Sequence, residues 1–97
     1  MNKKTKEHAA SVLKEIRAEV KGDVFRDSEI LRMCDMKTDR ETGFMVKLML
    51  NGKFEYPSSL IENWRSRLEA DSYSITVIKT KLRIRFYVNY SEDRQEP

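Results

Sequence analysis

Gly43-Phe44-Met45-Val46-Lys47-Leu48-Met49-Leu50, then Asn51-Gly52, then Lys53-Phe54-Glu55-Tyr56, is answered further on by Tyr73-Ser74-Ile75-Thr76-Val77-Ile78, Lys79-Thr80-Lys81 and Leu82-Arg83-Ile84-Arg85-Phe86-Tyr87-Val88-Asn89-Tyr90. Phe44, Val46, Leu48 and Leu50 alternate with Met45, Lys47 and Met49, the period of a strand with one buried face. Asn51-Gly52 reads as a two-residue hairpin turn, because a type I′ turn needs positive φ at both central residues. That turn predicts a return strand over 53–56. In the second half, Tyr73, Ile75 and Val77 alternate with Ser74, Thr76 and Ile78. Leu82, Ile84, Phe86, Val88 and Tyr90 then alternate with Arg83, Arg85, Tyr87 and Asn89. Between the two halves, Pro57 ends a strand because it has no N–H for the ladder. Ser59 and Glu62 fit a capping box. Leu60, Ile61, Trp64 and Leu68 form one apolar stripe, with Trp64 as a core anchor. The prediction is strands over 44–50, 53–56, 73–78 and 82–90 around a helix over 59–70, a ββαββ order.

Upstream, Ala9, Val12, Leu13, Ile16 and Val20 share a helical face and predict a helix over 6–21, with Thr5 as N-cap and Gly22 beyond its end. Ile30, Leu31 and Cys34 give a shorter apolar edge, capped by Asp27 or Ser28, and predict a second helix over 27–36. The connector that follows carries acids at 35, 39 and 41. It fails as a calcium loop, whose sixth and twelfth positions require Gly and Glu; here they are Arg40 and Val46. The expected fold class is α+β: an N-terminal helix plus a short second helix, then a hairpin–helix–hairpin antiparallel sheet packed on the helices. Residues 1–90 form a single domain, and 91–97, acidic and aperiodic, a disordered tail.

At 97 residues the chain suffices for one modest core. No apolar run is long enough to span a membrane, and the basic start, Met1 to Lys6, lacks the apolar segment of a signal peptide. One cysteine leaves no internal disulfide. A soluble, cytoplasmic protein is the expectation. The single histidine, His8, and isolated glycines leave no nucleophile–base pair, zinc site or phosphate loop. Glu19-Val20-Lys21 lies on a predicted helix. The reading is of a protein that is not an enzyme, with no cofactor and no metal.

Charge is informative once divided along the chain. Residues 72–90 carry four basic side chains and no acidic one. Lys79 and Lys81 stand at the turn, and alternation projects Arg83 and Arg85 to one side with Tyr87 beside them. Such a ribbon suits phosphate contact, with Arg or Tyr able to reach or stack on a base. The competing reading is a solvated sheet face whose lysines and arginines block unwanted edge pairing.

The hairpin–helix–hairpin order over 43–90, with an Asn-Gly first turn and a Lys-bearing second turn, resembles the double-wing DNA-binding domain of phage transcription activators of the MotA type. The resemblance implies DNA binding through sheet and wings, at Lys47, Lys53, Lys79, Lys81, Arg83 and Arg85. This chain departs from it by placing two helices first. A winged-helix alternative makes 59–70 the recognition helix, with Asn63, Arg65, Ser66 and Arg67 facing the groove. The expected partner is nucleic acid, DNA ahead of RNA, for a regulatory or accessory protein of phage or mobile-element type. The alternative is a protein–protein module, an inhibitor or adaptor, using Met45, Met49 and Ile78 as an adaptable surface. A homodimer through free sheet edges is a further expectation. Whether helices cover Met45 and Met49 separates these readings.

Overall fold

The computed structural model describes residues 4–20 and 22–90. The expected tail over 91–97, and Lys21 at the end of the first predicted helix, lie outside the described residues. The element order is α1 (Lys6–Glu19), β1 (Phe25–Cys34), β2 (Glu41–Asn51), α2 (Ser58–Arg67), β3 (Ser72–Ile78) and β4 (Lys81–Asn89). The four strands form one antiparallel sheet in the order β1-β2-β4-β3. The α+β class and its ββαββ order are as expected, with a different first hairpin.

The core follows from the periodicities. Ala9, Val12, Leu13 and Ile16 of α1 join Ile61 and Trp64 of α2, the following Leu68, the even-numbered residues of β2 from Phe44 to Leu50 and those of β4 from Ile84 to Val88 in one buried cluster. Both helices therefore lie on one face of the sheet. Trp64 is 1% exposed and tilts against Phe25 at 6.3 Å between ring centroids. Truncating so large a buried ring costs about 3–5 kcal/mol. Thr5 caps α1 as predicted, its hydroxyl accepting the His8 N–H at 3.1 Å.

Three expectations are corrected. The predicted helix over 27–36 is a strand, β1, paired with β2 from Phe25↔Leu50 to Cys34↔Glu41. Ile30, Leu31 and Cys34 satisfy helical spacing. The ladder to β2, with Ile30 and Phe25 packed on the core, outweighs that local preference. The first hairpin is thus β1–β2, closed by residues 35–40, where the Asp35 carboxylate accepts the N–H groups of Lys37 (2.7 Å) and Thr38 (3.2 Å).

Asn51-Gly52 is not a hairpin turn, and 53–56 is irregular rather than a strand. Among the described glycines only Gly22 has positive φ, and Asn51 is absent from the positive-φ residues, so neither centre of a type I′ turn is formed. Asn51 instead extends β2 and pairs with Lys81. Its buried side chain donates to the Asp23 carbonyl (3.2 Å) and accepts the Lys53 N–H (3.1 Å), while its own carbonyl accepts the Tyr56 hydroxyl (2.6 Å).

The capping box is also absent. Pro57 occupies the N-cap of α2, and Glu62 pairs with Arg65 at 2.6 Å. The helix stops at Arg67 rather than at 70 because Glu69 turns left-handed (φ 60°). Ala70 then donates to the Arg65 carbonyl (3.0 Å) and Glu69 to that of Ser66 (3.1 Å). That bond pair is a Schellman closure with glutamate in the usual glycine position.

Candidate functional site

Alternation places the odd-numbered residues of β2 and β4 on the face away from the helices. Register puts Met45 opposite Tyr87, Lys47 opposite Arg85 and Met49 opposite Arg83. On the flanks, Glu29 of β1 neighbours Lys47, while Ser74 and Thr76 of β3 neighbour Arg85 and Arg83. The helix-free face therefore has two chemistries. The β1–β2 half carries Leu31, Met33, Met45 and Met49, all half-buried, with Asp27 and Glu29. The β4–β3 half carries Arg83, Arg85, Tyr87, Ser74 and Thr76.

The two arginines stand two residues apart on one strand, about 6.7 Å along it. Among the described residues neither forms a salt bridge, and the Nε of each is buried with no hydrogen-bond partner. The two guanidinium groups are half-buried, so their outer N–H groups are what this face offers to an incoming acceptor. The Tyr87 hydroxyl lies 3.1 Å from Ser74 Oγ. That hydrogen bond, with help from Arg85 and the charge of Arg83, holds the phenol below its usual range despite partial burial. The hydroxyl bond ties the ring to β3 beside the guanidinium groups.

Lys79, Lys81 and Lys53 gather at one end of the sheet, because Gly52 donates to the Thr80 carbonyl at 2.7 Å and so joins the end of β2 to the β3–β4 turn. Lys53 lies 5.6 Å over the ring of Phe54, which is 41% exposed. This pairing of a cation with a solvent-facing aromatic was missed at the sequence level, where Phe54 belonged to a strand. Lys47 is held by Glu29 at 2.9 Å, so its charge is partly offset.

Arg65 and Arg67 lie elsewhere. Arg65 binds Glu62 and donates to the Ala70 carbonyl at 2.7 Å. Arg67 bridges to α1 through Glu19 (2.8 Å) and Glu15 (3.2 Å), and also reaches Asn63 (3.3 Å). The His8 ring donates to the Arg67 carbonyl at 3.0 Å. These side chains fasten α2 to α1 and to its own C-terminus. A shallow cleft lined by His8, Ser11, Val12, Glu15, Arg67 and Glu69 lies beside this clamp.

Among the described residues no helix is long and apolar enough to cross a membrane. Comparison of the chain with protein-family models, curated protein sequences and solved structures finds no match.

Proposed function

We propose that the protein binds nucleic acid through the β4–β3 half of its helix-free sheet face, with Arg83, Arg85 and Tyr87 at the centre. Lys79, Lys81 and Lys53 add charge at the end of the sheet. The observation that carries this reading is the pair of half-buried arginines on alternate positions of β4, free of acidic partners among the described residues. Phosphate oxygens are the acceptors such a pair fits best, and guanidinium planes and Tyr87 offer stacking to an unpaired base. The ββαββ order supports the double-wing form of this idea, a DNA-binding regulator or accessory factor of phage or mobile-element type. The winged-helix form has less support, since Arg65, Arg67 and Asn63 are already bonded within the protein.

The test is fluorescence anisotropy with labelled duplex DNA, single-stranded DNA and RNA, titrated across salt. Each phosphate neutralised adds about 0.9 to the salt slope on duplex and about 0.7 on single strands. The Arg83→Ala/Arg85→Ala double variant is therefore expected to lose about two units of slope on duplex. Absence of binding to all three polymers at about 50 mM salt overturns the reading.

A second reading has its own observation: among the described residues no helix covers Met45 and Met49, and Leu31 and Met33 extend the apolar area beside them. That half of the face fits an adaptable protein contact. Met45→Lys/Met49→Lys tests it, abolishing a protein contact there while leaving the salt slope on nucleic acid unreduced.

A further inference from the structure

The two edges of the sheet are built differently. β1 carries Arg26, Asp27, Glu29 and Arg32, and its register slips at both ends, between Phe25 and Asp27 and between Met33 and Cys34. Charges and bulges of this kind stop an edge from pairing with another chain. β3, Ser72-Tyr73-Ser74-Ile75-Thr76-Val77-Ile78, has no charge and no proline, and its register with β4 is unbroken. Val77 is 74% exposed and Ile75 44%. A long, regular, uncharged edge with exposed β-branched residues is the arrangement that pairs.

We propose that β3 joins a second copy of this chain by antiparallel pairing about a two-fold axis at Ile75, continuing the sheet from four strands to eight. Hydrogen-bond phase supports that axis. Lys79 and Thr80 form a two-residue turn with Lys79 at φ 54°, so Ile78 and Lys81 close it with reciprocal bonds. Counting back, Thr76, Ser74 and Ser72 turn their N–H and C=O groups into β4; the Tyr87 carbonyl, pointing to the β3 side to accept the Asp71 N–H at 2.8 Å, is in the same phase. Tyr73, Ile75 and Val77 therefore present theirs to the outer edge, which has no neighbouring strand among the described residues. A two-fold at Ile75 sets Ile75 against its own copy and Tyr73 against Val77, giving about six new backbone bonds.

The side chains match in the same register. Tyr73 meets Val77 and Ile75 meets Ile75 on the helix side, while Ser74 meets Thr76 on the other. Aromatic–β-branched, β-branched and hydroxyl pairs are favoured cross-strand neighbours. No charge opposes its own copy, as would happen at β1. The contact is isologous and closes at two, since the remaining edges are the blocked β1 strands. Both arginine columns then lie on one face, three strand spacings or about 14 Å apart. The dimer itself does not depend on the nucleic-acid reading.

A seven-residue edge buries an area near the roughly 1,000 Å² lower bound of specific interfaces, so a micromolar dimer is expected. Sedimentation of the full chain from about 5 μM to about 500 μM brackets that affinity. Val77→Pro removes an outward N–H without breaking the β3–β4 ladder, a substitution that edge strands accept. Ile75→Lys sets two like charges face to face at the axis. Each is expected to weaken dimerisation at least tenfold while the circular dichroism of the monomer is retained. Amide exchange adds an independent reading: Tyr73, Ile75 and Val77 gain protection with concentration, whereas Ser74 and Thr76 are protected throughout. A monomer over the whole range, assembly beyond two, or a dimer unchanged by both variants overturns the proposal.

Discussion

Gly52 donates its backbone N–H to the carbonyl oxygen of Thr80 at 2.7 Å, tying the end of β2 to the β3–β4 turn. A Cβ at Gly52 would stand 2.7 Å from that oxygen and 2.9 Å from the Thr80 carbonyl carbon, both backbone atoms. Gly52→Ala is expected to cost about 2 kcal/mol and lower Tm by about 10 °C. Gly22→Ala is the comparison: its φ is +68° but nothing lies within 4 Å, so only the left-handed penalty of about 1 kcal/mol applies. Thermal melts of the two variants check the order; a smaller loss at Gly52 would show the turn is not packed there.

Glu69 holds a left-handed position that closes α2. Glycine carries no Cβ penalty in that region. Glu69→Gly is expected to stabilise the fold by about 0.5–1 kcal/mol, raising Tm by about 4 °C, whereas Glu69→Ala brings no gain. Urea denaturation of the two variants side by side decides it.

Arg67 is clamped between Glu15 and Glu19 of α1. Exposed pairs contribute little singly, but this one guanidinium serves two carboxylates and links two helices. Arg67→Met is expected to cost about 1 kcal/mol and to leave the salt slope of nucleic-acid binding unchanged. A slope reduced as far as in Arg83→Ala would move the interface to α2 and revive the winged-helix geometry.

Two carboxylates give the fold an acid limit. Glu41 accepts from Lys6 at 2.8 Å and from the Tyr90 hydroxyl at 2.6 Å, and these bonds hold its carboxyl below the usual value. At Asp71 burial pushes the other way but is outweighed by Lys4 (2.8 Å) and the Asn89 N–H (2.7 Å) together, so its value too is lowered. A folded-state value below the unfolded one means stability is fully present above about pH 4–5 and is lost as pH falls through the folded values. Tm should therefore decline steadily on acidification. Glu41→Gln and Asp71→Asn should each lie below wild type at pH 7 and converge with it near pH 2. Parallel curves across the whole range would rule this out.

The open sheet face was partly legible from the sequence. Alternation alone put Arg83, Arg85 and Tyr87 on one side of β4, because a strand buried on one face leaves little choice of register. It could not show that Arg65 and Arg67 are engaged within the protein. Their partners, Glu15 and Glu19 for Arg67 and the Ala70 carbonyl for Arg65, are brought near by helix packing and by the Glu69 turn.

By itself the sequence determined α1, β2, α2, β3 and β4 in type, the Thr5 cap, the β3–β4 turn and the burial of Trp64. Each is set by a periodicity or a local bond that the chain carries within one element. Tertiary structure alone decided β1 and the fate of Asn51-Gly52. β1 is an edge strand with apolar residues on both faces, Ile30 on one and Leu31 and Met33 on the other, so no alternation marks it. Its strand state comes from pairing with β2 across the 35–40 connection and from packing on the core, neither of which its own residues carry. Asn51 and Gly52 carry a strong turn preference, yet the bonds to Asp23, Val24 and Thr80, each more than 25 residues away, outweigh a local preference of about 1 kcal/mol. Only the assembled sheet brings those partners together.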